Sequence, residues 1–141
     1  MSMSNRFFKV VSFRVVVEEE FLNKAKRRWS VSEASIKVRI KHRGKWQEVY
    51  ESADGNGPVN ALDNALRKAL GKFFPQLCDV HLVDYGVCRK NGDMGTESSV
   101  EVTITSTDET RTWETKGVSK DIIRASLVAL AKSFARELSK Y

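Results

Sequence analysis

Apolar and polar positions alternate with a period of two over several short stretches, and twice give way to a helical period. Phe13, Val15 and Val17 alternate within a Val- and Phe-rich run from Phe8 to Glu18. Ala34, Ile36, Val38 and Ile40 alternate with Ser35, Lys37, Arg39 and Lys41, the pattern of a half-buried strand. His42 to Lys45 supplies a turn with Gly44, and Trp46 to Ala53 reads as a third strand. After Gly55-Asn-Gly-Pro58 the period changes: Val59, Leu62, Leu66, Ala69 and Phe73 fall on one helical face. Pro58 suits a first helical position, where its missing N–H would have no partner, and Pro75 is expected to stop the helix.

The second half repeats the plan. Val80 to Arg89 predicts a strand, and Asn91 to Gly95 a loop. Val100, Val102 and Ile104 alternate, Thr107-Asp-Glu109 turns the chain, and Thr110 to Thr115 returns through Trp113. Gly117-Val-Ser119 opens a second helix, with Ser119 expected as N-cap, Asp121 in the first turn, and Ile123, Leu127, Leu130, Phe134 and Leu138 as the apolar stripe. The fold class is therefore α+β, with two βββα units, about 7–75 and 79–141, in a single domain behind a disordered start at 1–6. One such unit is too small to bury its own apolar faces well, so the two are expected to share a core about a pseudo-two-fold axis, with a crevice on that axis.

The 141 residues, 41% hydrophobic with three tryptophans, suit one soluble globular domain. No apolar run approaches the roughly 20 residues of a membrane span, and no leader is visible, so a cytoplasmic chain without a membrane partner is expected. Two cysteines, Cys78 and Cys88, make no disulfide framework and read as reduced. The net charge of +6 raises the question of nucleic acid. Its densest basic stretch, Lys24 to Trp29, is read as an exposed loop diluted by Glu18 to Glu20, and no nucleic-acid partner is expected.

Catalytic signatures are sparse. His42 and His81 fall in no metal-ligand spacing, and no GxSxG elbow, P-loop or Cys–His pairing occurs. His81, Asp84 and Tyr85 could form acid–base machinery, but in a regular strand His81 and Asp84 point to opposite faces. Neither catalytic residues nor metal ligands are expected. The most informative segment is Asp54 to Asn60. Its glycines permit close approach to the main chain, and the helix start at Pro58 offers unpaired N–H groups to an anion such as a carboxylate. On spacing alone a tight strand-to-helix turn without a ligand is the better reading of the same residues. Gly117-Val-Ser119 would be the second copy of such a site. Asp84 could hold an ammonium group and Tyr85 form a pocket wall, unless they are an exposed aspartate and a packing tyrosine. Gly92 to Thr96 is an effector loop or a hairpin tip.

Over Ser32–Val38, Asp54–Leu70, Val83–Tyr85 and Gly117–Ser119 the chain resembles the regulatory (dimerisation) domain of the 2-isopropylmalate synthase family, most closely the citramalate synthase branch. The resemblance runs from about Phe8 to the C-terminus. It implies a homodimer of double βββα units that binds a branched-chain amino acid, leucine or isoleucine, and inhibits a distant catalytic barrel condensing acetyl-CoA with a 2-oxo acid. That barrel and its metal-binding His-x-His are absent from this sequence. Effector contact is implied for Gly55, Gly57 and Pro58, with Asn56 and Val59 between and beside them, and for Gly95 and Thr96. Many relatives follow that last pair with small residues such as alanine; here stand Glu97, Ser98 and Ser99, so pocket size and effector identity do not carry over. No cofactor is implied, and Phe21 to Trp29 matches nothing in the family. The competing readings are a nucleic-acid-binding module using Lys24 to Trp29, a small acyl-transfer or isomerase-like enzyme, and a dimerisation module without ligand.

Overall fold

The computed structural model describes residues 3–90 and 98–140. Its elements are β1 (Phe8–Asn23), β2 (Lys26–His42), β3 (Lys45–Gly55), α1 (Pro58–Gly71), a 3₁₀ turn (Pro75–Asp79), β4 (His81–Lys90), β5 (Ser99–Thr107), β6 (Thr112–Ser119) and α2 (Ile122–Leu138). Two antiparallel three-stranded sheets, β1-β2-β3 and β4-β5-β6, are each followed by one helix, so the α+β fold with two βββα units holds. The chain divides into two compact units, Phe8–Phe73 and a second comprising Phe74–Tyr141 with Met1–Phe7.

In the first unit Ala34, Ile36, Val38 and Ile40 are buried, as their alternation predicts, and α1 covers β2 and β3 with Ala61, Leu62, Ala65, Leu66, Ala69 and Leu70. The stripe differs from the predicted one at its ends: Val59 is half-buried, and the helix closes at Gly71, before Phe73. Pro75 therefore does not stop α1 but opens the 3₁₀ turn. The hairpin between β2 and β3 turns on Arg43 and Gly44, both at positive φ, the conformation of a two-residue type I′ loop. Trp46 lies half-buried under two cations, Lys9 Nζ at 4.8 Å and the Arg39 guanidinium at 5.9 Å from its ring.

A β-bulge at Val11 explains a phase change in β1. Phe8 and Val10 pair with Ile40 and Val38, then Phe13 and Val15 pair with Ile36 and Ala34, so both sets face the helix. The first strand of the second unit carries the same device at Val83, between Leu82↔Ser106 and Asp84↔Thr105.

The second unit packs α2 on β5 and β6 through a more polar seam. Leu127, Leu130, Phe134 and Leu138 are buried as predicted, whereas Ile123 is half-buried. Among them Ser106 Oγ and Ser133 Oγ meet at 2.7 Å, Trp113 Nε1 donates to Ser133 at 3.2 Å, and Thr115 Oγ1 donates to the Ala129 carbonyl at 2.8 Å. Asp121, not Ser119, caps α2: its carboxylate accepts from the N–H groups of Ile123 and Arg124. Gly117 belongs to β6 and is a packing glycine, since a Cβ there would lie 2.0 Å from the Ala125 carbonyl oxygen.

The β5–β6 turn is tied to the end of α2. Asp108 accepts from Thr110 and Arg111 N–H groups and from the Thr110 hydroxyl, while Lys140 Nζ reaches Asp108 at 2.5 Å and Glu137 at 3.1 Å. The Lys140 hydrogen bond, then the Arg111 and Thr110 donors, hold the Asp108 carboxyl below the usual carboxylate range. Asp108, then Glu137, raise Lys140 above the usual lysine range. Glu137 Oε2 is buried and has no hydrogen-bond partner among the described residues.

Two expectations follow. Gly117→Ala should destabilise the second unit by at least the upper end of ordinary overpacking, about 3 kcal/mol, because backbone rather than a side chain stands in the way. Gly86→Ala, with nothing within 4 Å of its added carbon, should be nearly neutral in the same thermal melt. In the acid–base dimension, Asp108 with its lowered pKa contributes stability above about pH 4, lost as pH falls further. Lys140 with its raised pKa contributes below about pH 10.4, lost as pH rises further. Lys140→Met should lower the melting temperature at pH 7 and flatten its decline between about pH 4 and pH 2; an unchanged acid limb would remove the pair from that dependence.

Candidate functional site

The Gly55–Val59 segment joins β3 to α1. Gly55 ends the strand where the helix start crowds it: an added Cβ would meet Ala61 N at 2.5 Å and Asn60 Oδ1 at 2.6 Å. Three asparagines at helical spacing stitch this junction. Asn60 Oδ1 accepts the Asn56 N–H at 2.9 Å, and Asn64 Nδ2 donates to the Asp54 carbonyl at 3.0 Å. Their i, i+4, i+8 spacing is a signal already present in the sequence.

Gly57 occupies the N-cap with φ −170° and ψ 178°, an extended conformation open to any residue. Among the described residues nothing lies within 4 Å of where its Cβ would stand. Among the described residues no side chain caps α1, and Pro58 occupies the first turn, so nothing described compensates the dipole at the helix start. The start of α2 is different, because Asp121 already fills its anion position. The second copy of the site expected at Gly117-Val-Ser119 is thus not a helix start at all. Beside Asp54, a groove of about 340 Å³ is lined by Glu33, Ser35, Ser52, Ala53 and Asp54. Glu33 and Ser35 alternate with Ala34 and Ile36, which are buried under α1, so this groove opens on the opposite face of the sheet; the α1 start itself suits a carboxylate.

The second-repeat residues do not share one face. Tyr85 pairs with buried Ile104, and its hydroxyl lies 2.7 Å from Ser126 Oγ on α2, while the residue remains 38% exposed. That ring can serve as an apolar wall with its polar tip already engaged. Asp84 pairs with Thr105 on the other face, exposed, with Oδ1 accepting the Tyr85 N–H. The bulge at Val83 also corrects the expectation for His81: paired with Thr107, it lies on the same face as Asp84 rather than the opposite one. No hydrogen bond joins the two among the described residues. Ser98 Oγ accepts from Arg89 at 3.1 Å. Gly95, Thr96 and Glu97 lie outside the described residues.

The basic stretch is not a loop. Lys26 to Trp29 continue β2, and β1 runs on through Phe21 and Leu22 to Asn23, so the two strands form a ribbon turning at Lys24 and Ala25. Arg27 faces Glu19 at 3.4 Å, Arg28 faces Glu20 at 3.8 Å, and the Trp29 indole N–H donates to Glu20. These pairs spend the arginine charge within the ribbon and do not favour nucleic acid. Among the described residues no cluster of His, Cys, Asp and Glu could hold a metal, both cysteines are free and exposed, and no helix is long and apolar enough to cross a membrane.

A family model for the LeuA allosteric (dimerisation) domain matches residues 1–138. An (R)-citramalate synthase of Geobacter sulfurreducens is 45% identical over 135 residues, 96% of this chain and 24% of that protein. Those of Aquifex aeolicus and Streptomyces coelicolor are 39% and 38% identical, over 95% and 92% of this chain and 24% and 22% of theirs. The chain thus spans about a quarter of the length of these relatives. It belongs to the LeuA allosteric (dimerisation) domain family, as a regulatory domain of the citramalate synthase branch.

Proposed function

We propose that this chain binds a branched-chain amino acid, leucine or isoleucine, and thereby inhibits a citramalate synthase of which it is the homodimeric sensor. The match to an allosteric and dimerisation domain over nearly the whole chain carries the reading. The uncapped start of α1 supports it, with open space among the described residues at Gly57 for the effector carboxylate. The parent enzyme condenses acetyl-CoA with a 2-oxo acid elsewhere in its chain. Inhibition requires the effector to bind the active and inhibited arrangements with different affinity, the difference being the coupling free energy.

Calorimetric titration of the chain with leucine, isoleucine and valine tests this. One of the first two should bind, and at one hundred times its dissociation constant should stabilise the chain by about 2.7 kcal/mol. Gly57→Val should abolish that shift while changing the melt of the free protein by no more than about 1 kcal/mol, since the position is extended and open. Unaltered binding in this variant would leave Gly55–Val59 as a turn, and no binding of any of the three would reduce the chain to a dimerisation module.

A further inference from the structure

Pairing of β2 with β3 ends at Ser32↔Gly55, but pairing of β1 with β2 continues from Glu18↔Val31 to Asn23↔Lys26. Residues 18–31 therefore form a two-stranded arm beyond the sheet that α1 covers. A lone two-stranded ribbon is marginal in water unless something packs on it. This one displays apolar side chains: Phe21 and Leu22 are each 57% exposed, and Val17, Trp29 and Val31 are exposed as well. The outer edge of β1 is a sheet edge, since its sheet runs β1-β2-β3.

The arm's charges are arranged to complement a copy of itself. Arg27 and Arg28 answer Glu19 and Glu20 within the arm. Glu18 at its base and Lys24 at its tip have no ion pair among the described residues, and they stand three residues to either side of Phe21. We propose that the arm is a homodimer contact in which two copies lie antiparallel along β1 about a two-fold axis at Phe21. Phe21 then meets Phe21 of the second copy within the strands, and Lys24, in the turn just beyond the end of β1 at Asn23, reaches Glu18 of the other copy at both ends. An isologous contact requires this reciprocity, and aromatic and opposite-charge cross-strand pairs are the ones that stabilise a sheet. Neither a nucleic acid nor an acidic surface would use the acidic half of the arm.

The proposal rests on the dimer of the preceding reading and specifies where its copies touch. With Cys78 and Cys88 changed to serine, Phe21→Cys should form a covalent dimer under mild oxidation, because facing antiparallel residues bring Cα atoms to about 4.5–5.5 Å, within disulfide reach. Glu18→Lys or Lys24→Glu alone should weaken self-association by about tenfold, and the two together should restore it. Sedimentation of each variant reads this out, with a cooperative melt verifying that each is folded. A dimeric chain whose Phe21→Cys variant does not cross-link overturns the arm contact and leaves the dimer standing. Cross-linking without charge-swap rescue overturns the register, and a monomeric parent chain overturns both readings.

Discussion

In each half of this chain a helix returns onto the strand that precedes it so closely that only hydrogen fits on the strand's α-carbon. At Gly55 the contact is with Ala61 N and the Asn60 side chain; at Gly117 it is with the Ala125 carbonyl. Backbone packed on backbone cannot relax by rotating a side chain, so these contacts fix the height and angle at which α1 and α2 meet their sheets. The remaining core follows from that placement. Buried Leu62, Leu66 and Ala69 of α1 pack over the sheet carrying Ile36, Val38 and Ile40, and Leu130 and Phe134 of α2 over the sheet carrying Val102 and Ile104. Gly57, two residues on from Gly55, is under no such constraint, since among the described residues nothing lies within 4 Å of an added Cβ.

The two halves share this anchor but finish their helix starts and their cores differently. Asp121 closes the dipole of α2 from within, whereas α1 has only the Asn56–Asn60–Asn64 stitching behind it and an open front. The first core is largely aliphatic, while the second is threaded by Ser106, Ser133, Thr115, Trp113 and the Tyr85–Ser126 pair. Hydroxyl-to-hydroxyl and hydroxyl-to-carbonyl bonds specify one alignment of α2 on its sheet more narrowly than apolar contact does. The repeat thus keeps its architecture while the chemistry of its two cores differs.

Much of this was legible in the sequence, because alternation and helical stripes are imposed by burial itself. The stretch Ala34 to Ile40 reads directly as one buried face, and Leu127, Leu130, Phe134 and Leu138 as another. What escaped the pattern was whatever breaks its period or depends on neighbours distant in sequence. The bulges at Val11 and Val83 change the phase of their strands, which hid Phe8 and Val10 from the alternation and put His81 and Asp84 on the wrong faces. Gly117 looked like a helix-opening glycine because its partner, the Ala125 carbonyl, is identified only by the packing. Charge and exposure made Lys24 to Arg28 read as a loop, although cross-strand glutamates supply the pairing that keeps them extended. The glycine motif stood out, but sequence could not separate Gly55, which must be small for packing, from Gly57, which is under no such demand.

The indoles are distributed in a way that gives the protein its own optical labels. Trp113 is nearly enclosed and hydrogen-bonded to Ser133 in the second unit, Trp46 lies half-buried under Lys9 and Arg39 in the first, and Trp29 stands exposed on the arm beside Glu20. Emission from an indole shifts with the polarity and mobility around it, so the three differ in colour and in access to a dissolved quencher. A chain with two of them replaced by phenylalanine reports on a single region. The three such chains together resolve whether the two units melt in one transition or two, and whether the arm orders before either.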